Sequence, residues 1–369
     1  MENPTVKKSF TAIIETIHDC NLNCRYCYVN ERAEKGKMSY STLENSIREL
    51  AKLSTPELNL SFLWHGGEPL LMGLDFYRQA LEIQRRSEIR GGLENSIQTN
   101  GTLINEETAK FFSENNFSVG LSLDGPKELN DRTRLYKTGE STFYDVMHAI
   151  ETLRKYSVEP RVIVTLNKQN IGEVDSIYQF LKQNKIGAAF NPLVKSGNAV
   201  KNYQDLEISP TEFNKAKSNL FDTWFNDDNP VSLGCIEDFF KNLLSGNCFH
   251  YCTFSPSCQE EFLSIGPLGD VYPCGEFSGI NGFRYGNINE NSIEEIFASP
   301  LRKKLTQRAE HIEECKGCNY QKSCGGGCMS NAYSYTGDVF SRDPYCQTYK
   351  TLFQKASEKI IQISERRFN

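Results

Sequence analysis

Cysteine placement constrains this chain more than any other feature. The 369 residues hold 13 cysteines, and eleven of them fall into ligand-like groups. Near the N-terminus stand Cys20, Cys24 and Cys27, a C-x3-C-x2-C run. Farther on come Cys252, Cys258 and Cys274, then Cys315, Cys318, Cys324, Cys328 and Cys346. An odd total rules out a fully paired disulfide scaffold within one chain. In a reducing compartment, clustered cysteines read as metal ligands instead. Three thiolates hold a four-iron cluster with one iron open, and eight hold two clusters with every iron filled. A zinc loop at the first run and zinc ribbons at the second are the competing readings, but zinc sites usually pair C-x2-C knuckles.

Composition narrows the class. A net charge of -6 argues against a nucleic-acid binder, which would usually be basic. No apolar run reaches membrane-spanning length, and residues 1–10 lack the apolar core of a secretory signal. The expectation is a cytoplasmic protein with no membrane partner. The length suggests a large and a small domain.

The first half alternates strands with helices. Strands are expected at Phe10–Thr16, Leu58–Trp64, Ser96–Gln98, Ser118–Leu123, Arg161–Leu166 and Ala188–Asn191, with helical patterns between them. Such alternation indicates parallel βαβ units. About six units make an α/β fold, a partial (β/α)6 TIM-like barrel with its site at the C-terminal strand ends. Lys195–Ile208 is polar and reads as a linker or lid, and Pro210–Asn226 as a helix. From Gly234 cysteines, glycines and short strands dominate, as in a small metal-stapled domain. Thr351–Arg366 reads as a final amphipathic helix. The expected boundaries are 8–230 for the barrel, 231–350 for the cysteine-rich domain and 351–369 for the C-terminal helix.

Cys20, Cys24 and Cys27, with Tyr26 before the third, resemble the signature of the radical S-adenosylmethionine (SAM) family. That resemblance implies a cluster whose open iron is chelated by SAM and whose electron releases a 5′-deoxyadenosyl radical; the cofactor carries this chemistry and the protein orients it. Further segments match in order. His65-Gly66-Gly67-Glu68-Pro69 resembles the family's GGEP segment, which implies a grip on the methionine amino group through Gly66, Gly67, Glu68 and Pro69. Gln98 and Asn100 end one strand and Ser122 and Asp124 another, and the resemblance implies that these four also contact the bound cofactor. By resemblance Arg134 pairs with the SAM carboxylate, a charge-assisted contact, while Tyr26 and Leu193 lie near the adenine.

The second cysteine set reads C-x2-C-x5-C-x3-C-x17-C from Cys315 to Cys346. With its upstream members it resembles a SPASM domain, an auxiliary-cluster module. The resemblance implies one 4Fe-4S cluster on Cys252, Cys258, Cys274 and Cys328, and another on Cys315, Cys318, Cys324 and Cys346. Three clusters are therefore expected in all. Cys235 and Cys248 are left over and read as buried or free thiols.

The resemblance extends over Phe10–Cys346 and implies an oxidoreductase acting on a peptide or protein, fed by a low-potential donor such as flavodoxin or ferredoxin. Anaerobic sulfatase maturases carry an aspartate directly after the equivalent of Cys274, as general base. Here that residue is Gly275, which cannot accept a proton, followed by Glu276. This departure favours maturation of a ribosomally made peptide by side-chain crosslinking, cyclophane C–C or thioether, with Glu276 as the candidate base. The alternative is a sulfatase-type maturase forming formylglycine on a protein Cys or Ser. A non-catalytic iron–sulfur protein has no need of a methionine-gripping loop.

Overall fold

The computed structural model describes residues 8–29, 36–246 and 252–368. Its centre is β1 (Lys8–Ile17), whose stretch Ala12–Ile17 is apolar apart from Glu15 and Thr16. Such a run suits a strand covered on both sides. On one flank β1 pairs in parallel with β2 (Leu58–Gly66). Then follow β3 (Leu93–Thr99), β4 (Ser118–Ser122), β5 (Arg161–Leu166) and β6 (Gly187–Pro192), each parallel to the one before. Six parallel strands in sequential order are the partial barrel expected from the alternation.

Helices cover its outer face: α1 (Tyr40–Ala51), α2 (Leu74–Arg86), α3 (Glu106–Glu114), α4 (Phe143–Lys155) and α5 (Val174–Gln183). Each buries one apolar stripe, as a surface helix does. The strands alternate to match. Leu60, Phe62 and Trp64 of β2 point into the helix layer, where Trp64 meets Phe76 and Tyr77 edge to face at 6.2 and 5.7 Å.

On its other flank β1 pairs in parallel with β7 (Phe262–Ile265), which continues antiparallel into β8 (Asp270–Tyr272) and β9 (Gly286–Asn287). The cysteine-rich segment thus extends the barrel sheet. After β9 the expected short strands give way, among the described residues, to helical turns. Cys315 closes a 3-10 turn and Cys324 a helical turn. Two longer helices, α6 (Pro210–Phe225) and α7 (Gly234–Ser245), pack with α8 (Cys346–Phe368). The final helix begins at Cys346, five residues before its expected start. Its Phe353 lies against Phe239 and Phe254 at 4.7 and 5.5 Å.

Lys195–Ile208 is neither linker nor lid. It forms helical turns at Asn198–Lys201 and Tyr203–Leu206, and Ala199 and Leu206 are buried with Tyr26 and Leu193. Sparse apolar residues hid this, since two buried side chains suffice when the rest face outward. Among the described residues no helix is long and apolar enough to cross a membrane.

Candidate active site

The loop after β1 carries Cys20, Cys24 and Cys27 at the C-terminal mouth of the barrel. Two distant segments fix its backbone. Asn23 and Arg25 N–H groups donate to the carbonyls of Leu135 and Thr133, both at 2.9 Å. Asn198 Nδ2 donates to the Cys24 carbonyl at 3.1 Å, Asn198 N–H to the Cys27 carbonyl at 2.8 Å, and Asn202 Nδ2 to the Arg25 carbonyl at 2.9 Å. These asparagines were not singled out from sequence; the only signal was their polarity among the buried Ala199 and Leu206. Burial pushes the Cys20 and Cys24 thiols up to about 11, with Arg134 opposing the push at Cys24. A metal held by these thiols would displace protons as it bound.

The strand-end motifs line a cavity of ≈ 350 Å³ with this loop. Tyr26, Gly66, Gly67, Gln98, Asn100, Ser122, Arg134 and Leu193 all border it. Gln98 Nε2 donates to Ser122 Oγ at 3.2 Å. Arg134 is buried, donates to Cys24 Sγ at 3.7 Å and stands 3.4 Å from Asp124. Its guanidinium also lies over the Tyr26 ring, 5.4 Å from the centroid. Burial alone would depress the Arg134 pKa, but Tyr26, Cys24 and Asp124 raise it, so the charge is permanent.

Three expected contacts take other places. Glu68 is fully buried and outside the cavity lining. Its carboxylate accepts from Leu70 N at 3.0 Å, Thr99 Oγ1 at 2.6 Å and Asn100 N at 2.8 Å, so it ties the end of β2 to the end of β3. Pro69 starts the 3-10 turn behind it. Asp124 is likewise sealed off, accepting from Tyr26, Thr133 and the Thr165 N–H. Glu68 and Asp124 therefore act behind the lining. The glycine pair also serves the loop: Gly67 N–H donates to the Ile17 carbonyl at 2.6 Å, and a Cβ on Gly67 would stand 2.2 Å from the Asp19 carbonyl oxygen.

Across the cavity stand Cys252, Cys328 and Glu276 from the cysteine-rich segment. Glu276 lies in the turn Gly275–Phe277, directly after Cys274. Tyr28, another residue the sequence did not mark, borders the same space. A Cβ on Gly275 would lie 3.4 Å from both Tyr28 Oη and Glu15 Oε1. Tyr28 and Glu15 thus stand within van der Waals reach of that position, and Glu276 borders the cavity one residue later.

Cys315, Cys318, Cys324 and Cys346 border one common cavity. Burial raises the Cys274 thiol, and Cys328 and Cys258 raise it further; Cys252 in turn feels Cys258, and Cys328 feels Cys252. Among the described residues no three His, Cys, Asp or Glu side chains converge on a single-ion site. Cys235 is buried on α7, where Lys217 Nζ donates to its Sγ at 3.1 Å. Cys248 lies outside the described residues. A larger space of ≈ 1340 Å³ opens at the opposite strand ends near Ser118 and Arg161, and no cysteine borders it.

Comparison with known proteins agrees with this geometry. Residues 14–181 match the model of the Radical SAM superfamily, and residues 252–319 that of the SPASM iron-sulfur cluster-binding domain. A cysteine-type anaerobic sulfatase-maturating enzyme of Clostridium novyi is 33% identical over 97% of this chain and 98% of its own. A serine-type anaerobic sulfatase-maturating enzyme of Bacteroides thetaiotaomicron is 32% identical over 91% of this chain and 86% of its own. The solved structure of native anSMEcpe with bound AdoMet and Kp18Cys peptide superposes with a TM-score of 0.83 at 30% identity, covering 97% of this chain and 99% of that one. The chain belongs to the radical SAM superfamily, in the branch that carries a SPASM domain. Its matches over nearly full length include sulfatase-maturating enzymes of both the cysteine and the serine type.

Proposed function

We propose that this chain oxidises a cysteine or serine side chain of a protein substrate to an aldehyde, as a sulfatase-type maturase. The observation that carries the reading is one cavity bordered by Cys20, Cys24, Cys27, Arg134, Glu276 and Cys328. Similarity to the maturating enzymes over nearly the whole chain supports it. The peptide-crosslinking reading keeps one supporting observation, glycine in place of the acid at 275. The position of Glu276 on the cavity wall weakens that objection, because a carboxylate is present after all.

Three 4Fe-4S clusters fit the cysteine sets: Cys20, Cys24 and Cys27; Cys252, Cys258, Cys274 and Cys328; and Cys315, Cys318, Cys324 and Cys346. When bound, SAM and the clusters supply a hydrogen-abstracting radical and a sink for one electron. The chain does the rest. Gly66 and Gly67 would present backbone to the methionine ammonium and Arg134 would meet its carboxylate. Ser122 would reach the ribose or carboxylate, Gln98 would face the substrate, and Tyr26 and Leu193 would lie by the adenine. Glu276 takes the proton from the substrate thiol or hydroxyl. One hydrogen atom, one proton and one electron leave the Cβ–S or Cβ–O unit, which becomes a double bond; water then replaces sulfide in the cysteine case. Such chemistry suits a reducing cytoplasm and a donor such as flavodoxin or ferredoxin.

The test is anaerobic incubation with SAM, reductant and a sulfatase-derived peptide containing the target cysteine. Mass spectrometry should show sulfur replaced by oxygen with net loss of hydrogen, and the product should react with a hydrazide. Loss of two hydrogens with sulfur retained and no hydrazide adduct would sink this reading in favour of crosslinking.

A further inference from the structure

Between the two auxiliary sets the chain runs Cys324-Gly325-Gly326-Gly327-Cys328. Cys324 belongs to one set and Cys328 to the other, so this connector is the shortest covalent path between them. Its three glycines have φ of 64, 91 and 74°. A Cβ would meet the Phe254 carbonyl oxygen at 2.4 Å from Gly325, Ile312 Cδ1 at 2.9 Å from Gly326 and Asp343 Cβ at 2.6 Å from Gly327.

Two buried charges grip this connector. Arg308 is 5% exposed. Its Nη1 donates to the carbonyls of Gly326 at 3.2 Å and Gly327 at 2.9 Å, its Nη2 to Ser341 at 3.0 Å, and its Nε to Val339. Asp343 is 1% exposed. It accepts from Cys328 N at 2.7 Å, Tyr345 N at 2.8 Å, Asn331 Nδ2 at 3.2 Å and Tyr349 Oη at 3.1 Å. Asp343 also borders the cavity of Cys315, Cys318, Cys324 and Cys346. Among the described residues Arg308 makes no ion pair with a carboxylate, and carbonyl oxygens alone do not neutralise a buried cation. A four-iron cluster on four thiolates carries net negative charge, which supplies the missing compensation.

We propose that Arg308 and Asp343, a buried cation and anion bound to the glycine connector, set the reduction potentials of the two auxiliary clusters in opposite directions. The inference rests on the two-auxiliary-cluster reading above. Cluster potential follows net charge and surroundings. A nearby cation favours the reduced, more negative cluster and raises the potential; an anion lowers it. Both charges touch the connector between the two sets: Arg308 holds the carbonyls of Gly326 and Gly327, between Cys324 and Cys328, and Asp343 accepts from the Cys328 N–H while bordering the cavity of Cys324.

The test uses the full chain with Cys20, Cys24 and Cys27 replaced by alanine, so that only auxiliary clusters are observed. After anaerobic reconstitution with iron and sulfide, reduced clusters are followed by electron paramagnetic resonance against solution potential. Arg308→Gln should lower the potentials and Asp343→Asn should raise them. Each change should alter the reduced-to-oxidised ratio roughly tenfold at fixed solution potential, about 59 mV for a one-electron couple. Arg308→Lys, which keeps the charge and breaks the fork, should stay near the parent. Shifts of the same sign from Arg308→Gln and Asp343→Asn, no shift from either, or an equal shift from Arg308→Lys would overturn the proposal. If Arg308→Gln fails to hold iron, Asp343→Asn decides: an unraised potential refutes it. A parent lacking iron for two clusters would instead refute the auxiliary-cluster reading, and this inference with it.

Discussion

Arg134 is positioned before any ligand arrives, by Asp124 at 3.4 Å and by the face of Tyr26. Only its guanidinium end is left to meet a carboxylate in the cavity. Arg134→Gln should therefore weaken SAM binding by about 10- to 100-fold, the worth of a hydrogen bond to a charged group at roughly 1.5–3 kcal/mol. Anaerobic calorimetric titration of the reconstituted protein measures this; unchanged affinity would remove Arg134 from the SAM site. Glu276 offers a different signature. Glu276→Gln should lower peptide oxidation by roughly 10²- to 10⁴-fold, the usual worth of a positioned base, with 5′-deoxyadenosine still formed. Equal loss of both products would point to a collapsed cavity rather than a missing base.

Glu15 joins elements that the sequence keeps far apart. From β1 it accepts hydrogen bonds from Ser264 of β7 and from Ser278, the residue that ends the Glu276 turn, and it pairs with His18 at 3.2 Å. Burial alone would raise its pKa, but the bonds from His18, Ser278 and Ser264 outweigh burial and hold it below the ordinary 4.5. A depressed carboxyl stabilises the fold above its unfolded pKa and loses that contribution as pH falls through the folded value. The stability gap between the parent and Glu15→Gln should thus be widest near neutrality and shrink below about pH 4.5. Urea titrations from pH 7 down to 3 test it; a gap that grows on acidification would contradict the assignment. At α8, Phe353→Ala removes a fully buried ring that meets Phe239, Phe254 and Tyr320. It should cost about 3–5 kcal/mol, read from the same titrations.

For the whole molecule, the cysteine sets predict separable failures. Cys24→Ala should abolish SAM cleavage yet keep iron for about two clusters; intact cleavage would refute the loop assignment. Cys318→Ala should cost solubility as well as turnover, since that segment leans on its metal; a soluble variant with full turnover would count against it. The cysteine sets, the six parallel strands and most of the cavity lining were legible in the sequence, because ligand spacing and apolar periodicity are local properties. That Glu68 and Asp124 stand behind the lining was not legible, because a motif names a residue without saying which side of the lining it faces. Asn198, Asn202 and Glu15 were missed because partners of theirs lie 174, 177 and 249 to 263 residues away along the chain, and only folding brings those separations within hydrogen-bond reach. The sequence by itself determined that its cysteine groups would sit on a parallel barrel and its extension. Tertiary structure alone decided that Glu276 borders the cavity and that Tyr28 and Glu15 stand beside Gly275, because those contacts join segments far apart along the chain.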